Sequence, residues 1–214
     1  PDLPNDLPNW QRAHRYPDSG MLVGYAYLYA RPDQVNAQRA LFAARVPMIM
    51  LSLLLGLLIW WVARRLGGAA AGLAALCLWA FEPTGLAHGH LVTNDVAMAL
   101  IGLKLALDAG ALVSQPTKWS FLRFGLMAGL ALLTKFTAIP WLATLLIGVV
   151  GHAIWCALRS DADGEASASR WQPLLRKGAG LLVALLVAWA MIWAGYGFRF
   201  APTTDPAVRL PVAD

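Results

Sequence analysis

Apolar and polar positions occur in long blocks along this chain, and the apolar blocks have the length of membrane-spanning helices. Polar or turn-forming segments separate the blocks from one another. A helix rises about 1.5 Å per residue, so roughly 20 residues cross a hydrocarbon core of about 30 Å. The pattern predicts an all-α polytopic transmembrane helical bundle of about six spans, near residues 42–62, 67–81, 96–113, 121–134, 138–158 and 178–197.

The same blocks divide the chain into three predicted regions. Residues 1–40 are polar and are predicted to form an extracytoplasmic loop with an interfacial segment, and residues 41–200 form the transmembrane helical domain. Residues 201–214 are predicted to start a further extracytoplasmic loop. Both ends have the composition of loops, so we expect the chain to be part of a longer membrane protein. Inside the helical domain, the hydrophilic residues 159–177 are predicted to form a loop.

Composition supports the membrane class and changes the interpretation of the charge. Hydrophobic residues make up 58% of the chain and charged residues 14%, whereas a soluble domain has about 45–50% and about 25%. The net charge is +5. Basic residues lie mostly beside apolar blocks, which predicts contact with membrane lipids and no nucleic-acid partner. Cys77 and Cys156 lie within apolar segments, and we expect thiols buried in lipid or in protein rather than a disulfide.

Short loops indicate the orientation. Arg64 and Arg65 directly follow the first predicted span, and basic residues close to span ends are typical of the cytoplasmic side. With six crossings, "EPTGLAHGHLVTND" and "TKFT" fall together on the opposite face. We therefore expect both polar segments to be extracytoplasmic.

The segment "WAFEPTGLAHGHLVTNDVAMAL", residues 79–100, concentrates polar chemistry between two spans. Ionisable groups at a membrane boundary are costly and tend to mark function. Asp95 precedes a span, so it could cap that helix, act in catalysis, or do both. His88 and His90 are two residues apart and could bind phosphate oxygens. They could also start a metal site, but no further His or Cys lies nearby, so no metal ligand set is predicted.

Two charged features lie in later spans. Lys135, in "LLTKFT", is predicted at the tip of a helical hairpin, where it could reach lipid headgroups or contact a phosphate. Lys104 and Asp108 are four residues apart and share a helix face. We expect them to form a structural ion pair.

The chain resembles a known family in three blocks that occur in the family's order. "WAFEPTGLAHGHLVTNDVAMAL" is similar to the signature of bacterial protein O-mannosyltransferases, glycosyltransferase family 39, which reads approximately "SPNLLAHGRLVTTD". "LFAARVPMIMLSLLLGLLIWWVARRLGG" and "GLMAGLALLTKFTAIPWL" resemble flanking spans of that family. The departures are Glu82 for serine, His90 for arginine and Asn94 for threonine.

This resemblance implies a GT-C fold and a glycosyltransferase of the bacterial inner membrane. Such enzymes move a mannose-like hexose from a polyprenyl-phosphate carrier to a protein, lipid or glycan hydroxyl on the extracytoplasmic face. It implies a catalytic role for Asp95 and contacts to the carrier phosphate or the acceptor from His88, His90, Asn94 and Lys135. The family's principal acidic residue lies in an earlier loop, which we expect upstream of Pro1. The polyprenyl-phosphate-linked sugar is expected as the donor substrate, and a divalent metal is the less favoured alternative for a cofactor.

Two other functions fit parts of the pattern. A transporter or channel segment would use the polar residues as a permeation path, but it would place paired broken helices at the bilayer midplane. A catalytically inactive GT-C scaffold would lack the acidic residue of the earlier loop.

Overall fold

The computed structural model describes residues 29, 36–162 and 167–198, and these residues are almost entirely helical. Six helices follow one another, and no strand occurs among the described residues. They are α1 (Ala37–Phe81), α2 (Pro83–Gly89), α3 (Asp95–Ser114), α4 (Lys118–Thr134), α5 (Ala138–Ala162) and α6 (Ser167–Gly195). The predicted all-α class is confirmed. Most of the loop predicted for residues 1–40, and the whole segment 201–214, lie outside the described residues.

Four helices are long and apolar enough to cross a membrane, by length and composition, within the described ranges. They are α1, α3, the Ala138–Arg159 part of α5 and the Leu175–Gly195 part of α6. The 45 residues of α1 are about twice what one crossing needs and contain both of the first two predicted spans. Helix α4, with 17 residues, contains another predicted span. The total of six crossings stays a prediction.

Helix α1 consists of two helical segments that fold back on each other at Gly68. The backbone there has φ 82° and ψ −175°, outside the helical region and in a region that glycine adopts without steric cost. A Cβ atom placed on Gly56 would lie 2.8 Å from the Trp79 ring, and one on Gly72 would lie 2.8 Å from Arg64 Cβ. Both contacts join positions on opposite sides of Gly68. The two halves of α1 therefore run antiparallel.

Arginines at this hairpin pack on tryptophans of the preceding turn. The Arg64 guanidinium lies 5.2 Å from the Trp60 ring and that of Arg65 lies 4.1 Å from the Trp61 ring. These are cation–π distances, and they keep each arginine beside an amphipathic ring of the type found at membrane interfaces. The geometry agrees with a headgroup position for this turn.

The described chain divides into two compact units, residues 1–96 and 97–214. In the second unit, α4 and α6 make the closest packing. Gly125 lies against Ala184, and Gly129 against Ala188 and Met191. Along this contact the residue numbers of α4 and of α6 increase in the same direction, so the two helices run parallel. Small residues spaced four apart let helix backbones approach closely in lipid, where van der Waals contact drives association.

Helix α3 runs antiparallel to α4 within the second unit. Near its start, Met98 and Ile101 cluster with Ala131 and Ala138, which flank the α4–α5 junction. Leu105, Ala109 and Leu112 continue the core with residues of the other three helices. Lys135, the C-cap of α4, thus lies at the end of this unit where α3 begins.

A buried carboxylate connects α3 to α4. The Asp108 side chain is 5% exposed, its Oδ2 lies 2.5 Å from Lys104 Nζ, and its Oδ1 lies 3.8 Å from Arg123 Nε. The predicted ion pair is confirmed, and Arg123 adds a second cation. A buried charge needs such compensation, because an isolated one would be strongly destabilising.

One sequence expectation needs correction. Residues 159–177 do not form a loop throughout, because α5 continues to Ala162 and α6 begins at Ser167. The segment is hydrophilic, but ten of its 19 residues are Ala, Arg, Leu, Gln or Lys, which have high helix propensity. Cys77 and Cys156 form no disulfide in the described part of the chain, and both are exposed on outer faces of helices that are apolar enough to lie in lipid.

The contact between α4 and α6 gives a stability prediction. Gly129→Ala places a methyl group 2.6 Å from Met191 Cβ, and overpacking of this kind costs about 1–3 kcal/mol. We expect a lower thermal unfolding midpoint for the protein in detergent. Gly110→Ala is the matched control, since no atom lies within 4 Å of its added Cβ. Equal midpoints for the two variants would contradict the packing described here.

Candidate functional site

The polar segment begins where α1 ends, at Glu82, which caps the next helix. The backbone N–H of Glu82 donates to Trp79 O at 3.4 Å, and its side chain accepts from the N–H groups of Thr84 and Gly85. Pro83 occupies the first position of α2, where its missing N–H costs nothing. Glu82 therefore serves as an N-cap, a role that the sequence interpretation did not assign to it.

The hydrogen bonds of this cap set the ionisation of Glu82. Donation by the Gly85 N–H is the main cause that lowers the pKa of Glu82 below its ordinary value of 4.5. The bonds from Thr84 and the positive charge of His88 lower the pKa further, while partial desolvation opposes them. The carboxylate is thus ionised, and it adds negative charge at the N-terminus of α2, where the helix dipole favours it.

Helix α2 stays beside the first half of α1. Trp79 packs against Gly56, and a Cβ on Gly89 would lie 3.0 Å from Ser52 Oγ. Trp79 and Gly89 are ten residues apart in sequence, but the residues that they contact, Gly56 and Ser52, are only about 6 Å apart along the first half of α1. The polar segment therefore crosses the hairpin instead of extending the second half of α1, and it lines one side of the hairpin with polar groups.

His88 and Asp95 approach each other across the turn that follows α2. His88 Nδ1 lies 3.9 Å from Asp95 Oδ2, which is too long for a hydrogen bond but close enough for an ion pair when His88 is protonated. The side chains are 41% and 45% exposed, so both remain accessible to a ligand. Asp95 is the first residue of α3, where an acidic side chain also complements the helix dipole.

Two polar atoms in this segment are buried without a hydrogen bond to any described residue. They are His88 Nδ1 and Thr93 Oγ1. Most buried polar atoms in folded proteins have a partner, so unsatisfied ones call for an explanation. Their position beside an accessible carboxylate fits a site that is completed by a ligand or solvent.

The other predicted site residues are placed as follows. His90 is exposed at the end of α2, and its Nδ1 lies 2.9 Å from Leu86 O. Asn94 is exposed next to Asp95. Lys135 is half-buried at the α4–α5 junction of the second unit, so its proximity to the histidines stays a prediction. The structure thus brings together His88 and Asp95, with His90 and Asn94 adjacent in the chain.

Ser52 is the neighbour that sequence reasoning missed. It interrupts the apolar run "MIMLSLLLGLL", which is a local signal of a polar contact. Its contact with Gly89 joins positions far apart in sequence, however, and only the folded hairpin reveals it. For a metal, His88 and Asp95 offer two ligand types, and no group of three His, Cys, Asp or Glu side chains occurs in the described part of the chain.

A helical membrane protein with an ionisable cluster between two spans belongs to a class that includes membrane enzymes and transporters. Comparison with known families separates these. The family described as dolichyl-phosphate-mannose-protein mannosyltransferase matches residues 34–161, more than half of the chain and all of the polar segment. The chain belongs to this family, and the resemblance noted in the sequence is confirmed. It is therefore a membrane glycosyltransferase of the GT-C type. No curated protein and no solved structure matches the chain.

The cap at Glu82 gives a pH prediction. Because the pKa of Glu82 is lowered in the folded protein, the cap is complete above pH 4.5 and is lost as the pH falls through the lowered pKa. We expect the amides of Thr84 and Gly85 to exchange hydrogen several-fold faster in Glu82→Ala than in the wild type at pH 7, after correction for intrinsic rates.

Glu82→Gln is the matched variant for this measurement. Its amide oxygen still accepts a hydrogen bond but does not titrate, so its exchange should show no acid-induced step between pH 6 and 3. An equal step in the wild type and in Glu82→Gln would contradict the assignment of the cap to the Glu82 carboxylate.

Proposed function

We propose that this protein transfers a mannose-like hexose from a polyprenyl-phosphate carrier to a hydroxyl group of a protein, lipid or glycan acceptor. The reaction takes place at the extracytoplasmic face of a bacterial inner membrane. The observation that carries the proposal is the approach of His88 to Asp95 within the family-matched segment. The name of the family supports a lipid-phosphate-linked mannose as the donor.

The proposed reaction needs one base and several donors. The bond between the sugar anomeric carbon and the carrier phosphate breaks, and the phosphate leaves with the electron pair. The acceptor oxygen forms the new bond to the anomeric carbon and gives up its proton to a carboxylate. Charge develops on the leaving phosphate, so hydrogen-bond donors and cations at that point lower the barrier.

Asp95 is the catalytic residue in this proposal. Its carboxylate accepts a hydrogen bond from the acceptor hydroxyl and increases the nucleophilicity of that oxygen. It is accessible, with a side chain 45% exposed, and its place at the start of α3 holds it at a span end. Asn94 contacts the acceptor beside it.

His88 and Lys135 bind the carrier phosphate. In protonated His88 both ring nitrogens donate, so Nδ1 can face Asp95 while Nε2 donates to a phosphate oxygen. Lys135 is the C-cap of α4, and a long basic side chain at a helix end can reach a phosphate at the membrane surface. Hydrogen bonds from a charged donor to a phosphate are stronger than hydrogen bonds between neutral groups.

The reaction can be tested directly with membranes that contain the full protein. Labelled mannose supplied on a polyprenyl phosphate should appear on an acceptor hydroxyl, as determined by mass analysis of the product. The same sugar supplied as a nucleotide conjugate, with no lipid carrier present, should not be transferred. Transfer from the nucleotide sugar alone would contradict the proposed donor.

Asp95→Asn tests the role of the carboxylate with an isosteric side chain. We expect a decrease in kcat of roughly 10²- to 10⁴-fold, the usual contribution of a positioned acid or base. Loss of the charge at the start of α3 should change stability by no more than about 1 kcal/mol. The matched control is His152→Ala, at an exposed position of α5. Unchanged turnover in Asp95→Asn would remove Asp95 from the catalytic site.

A further inference from the structure

The ring of His90 is fixed by a backbone group at the end of α2. Its Nδ1 atom lies 2.9 Å from Leu86 O. A carbonyl oxygen can only accept, so Nδ1 carries the hydrogen and donates it. In a continuing helix the N–H of residue 90 would bond to Leu86 O, but here that N–H is directed to His88 O. The side chain thus takes the position of a helix C-cap donor.

This hydrogen bond determines the tautomer of the neutral ring. Neutral imidazole has a single N–H, so a hydrogen on Nδ1 leaves a lone pair on Nε2. Neutral His90 can accept a hydrogen bond through Nε2 but cannot donate one there. The side chain is exposed, and no described residue forms a hydrogen bond to Nε2. This lone pair is therefore available to a ligand.

We infer that His90 Nε2 accepts a hydrogen bond from a hydroxyl group of the substrate, on either the transferred sugar or the acceptor. A phosphate oxygen has no hydrogen to give, whereas a hydroxyl does. The two histidines then have different tasks, since His88 faces Asp95 and serves the phosphate, and His90 binds a hydroxyl. This assignment rests on the proposed function and makes His90 a substrate-positioning residue.

Three substitutions separate the two ring nitrogens. In His90→Asn the side-chain amide lies near the Nδ1 position, so it keeps the cap on Leu86 O and lacks an acceptor at Nε2. In His90→Gln the amide reaches the Nε2 position and supplies an acceptor oxygen. His90→Arg supplies donors and a permanent charge but no acceptor. Each variant is assayed in membranes that contain the full protein, with donor and acceptor concentrations varied independently.

We expect His90→Gln to stay within about twofold of the wild type. His90→Asn and His90→Arg should each lose about five- to tenfold in kcat/KM, the effect of one hydrogen bond between neutral groups. A rise in KM for the acceptor would identify the acceptor hydroxyl as the bound group, and a rise in KM for the donor would identify a sugar hydroxyl. Both results support the inference.

A different ranking of kcat/KM among the three His90 variants would overturn the inference. If His90→Arg matches or exceeds the wild type, a cationic contact to phosphate replaces the hydroxyl contact. If kcat/KM of His90→Asn equals that of the wild type, Nε2 has no role in substrate binding. If His90→Gln loses as much kcat/KM as His90→Asn, an acceptor at the Nε2 position does not contribute, and the inference fails as well. Wild-type membranes that transfer no sugar would contradict the proposed function itself, which distinguishes that failure from failure of this inference.

Discussion

A helix that is interrupted between two membrane spans must find partners for its freed backbone groups, and inside the hydrocarbon core only protein atoms can supply them. The chain leaves α1 at Glu82 and enters the next candidate span at Asp95. Over this interval the Glu82 carboxylate accepts from two N–H groups, and the His90 ring donates to Leu86 O. The side chains that carry the polar chemistry of the segment are thus also the ones that stabilise its backbone. His88 and Asp95 are held at 3.9 Å as a result of this local structure.

Glycines allow close helix packing inside each of the two units. Gly68 supplies the positive φ that turns α1 back on itself, and the turn places Gly56 and Ser52 beside the polar segment. In the second unit, Gly125 and Gly129 let α4 and α6 pack in parallel, with α5 connecting them in sequence. Helices packed in this way resist deformation, because lipid offers no competing hydrophobic force and close contact is the main source of association.

The helical class could be predicted from the sequence because apolar periodicity and the length of the apolar blocks determine it. The location of the polar segment was equally clear, since "EPTGLAHGHLVTND" interrupts two apolar blocks. Contacts between residues that are distant in sequence could not be predicted. Arg123 joins Asp108, and Ser52 meets Gly89, only because helices distant in sequence pack together. The tautomer of His90 depends on a carbonyl whose orientation is set by the end of α2. Residues 159–177 show the reverse case, where hydrophilic composition suggested a loop although the residue types favour helix.

The central claim is that the polar segment between α1 and α3 contacts the reacting groups of a lipid-phosphate sugar. Photo-crosslinking tests it most directly, with a polyprenyl-phosphate hexose that carries a photoreactive group on the sugar and with the full protein in membranes. Labelled peptides are expected within residues 82–95, and the label should be lost when excess unmodified donor competes. Label that is confined to residues 159–177, or label in residues 82–95 that excess donor does not displace, would contradict it.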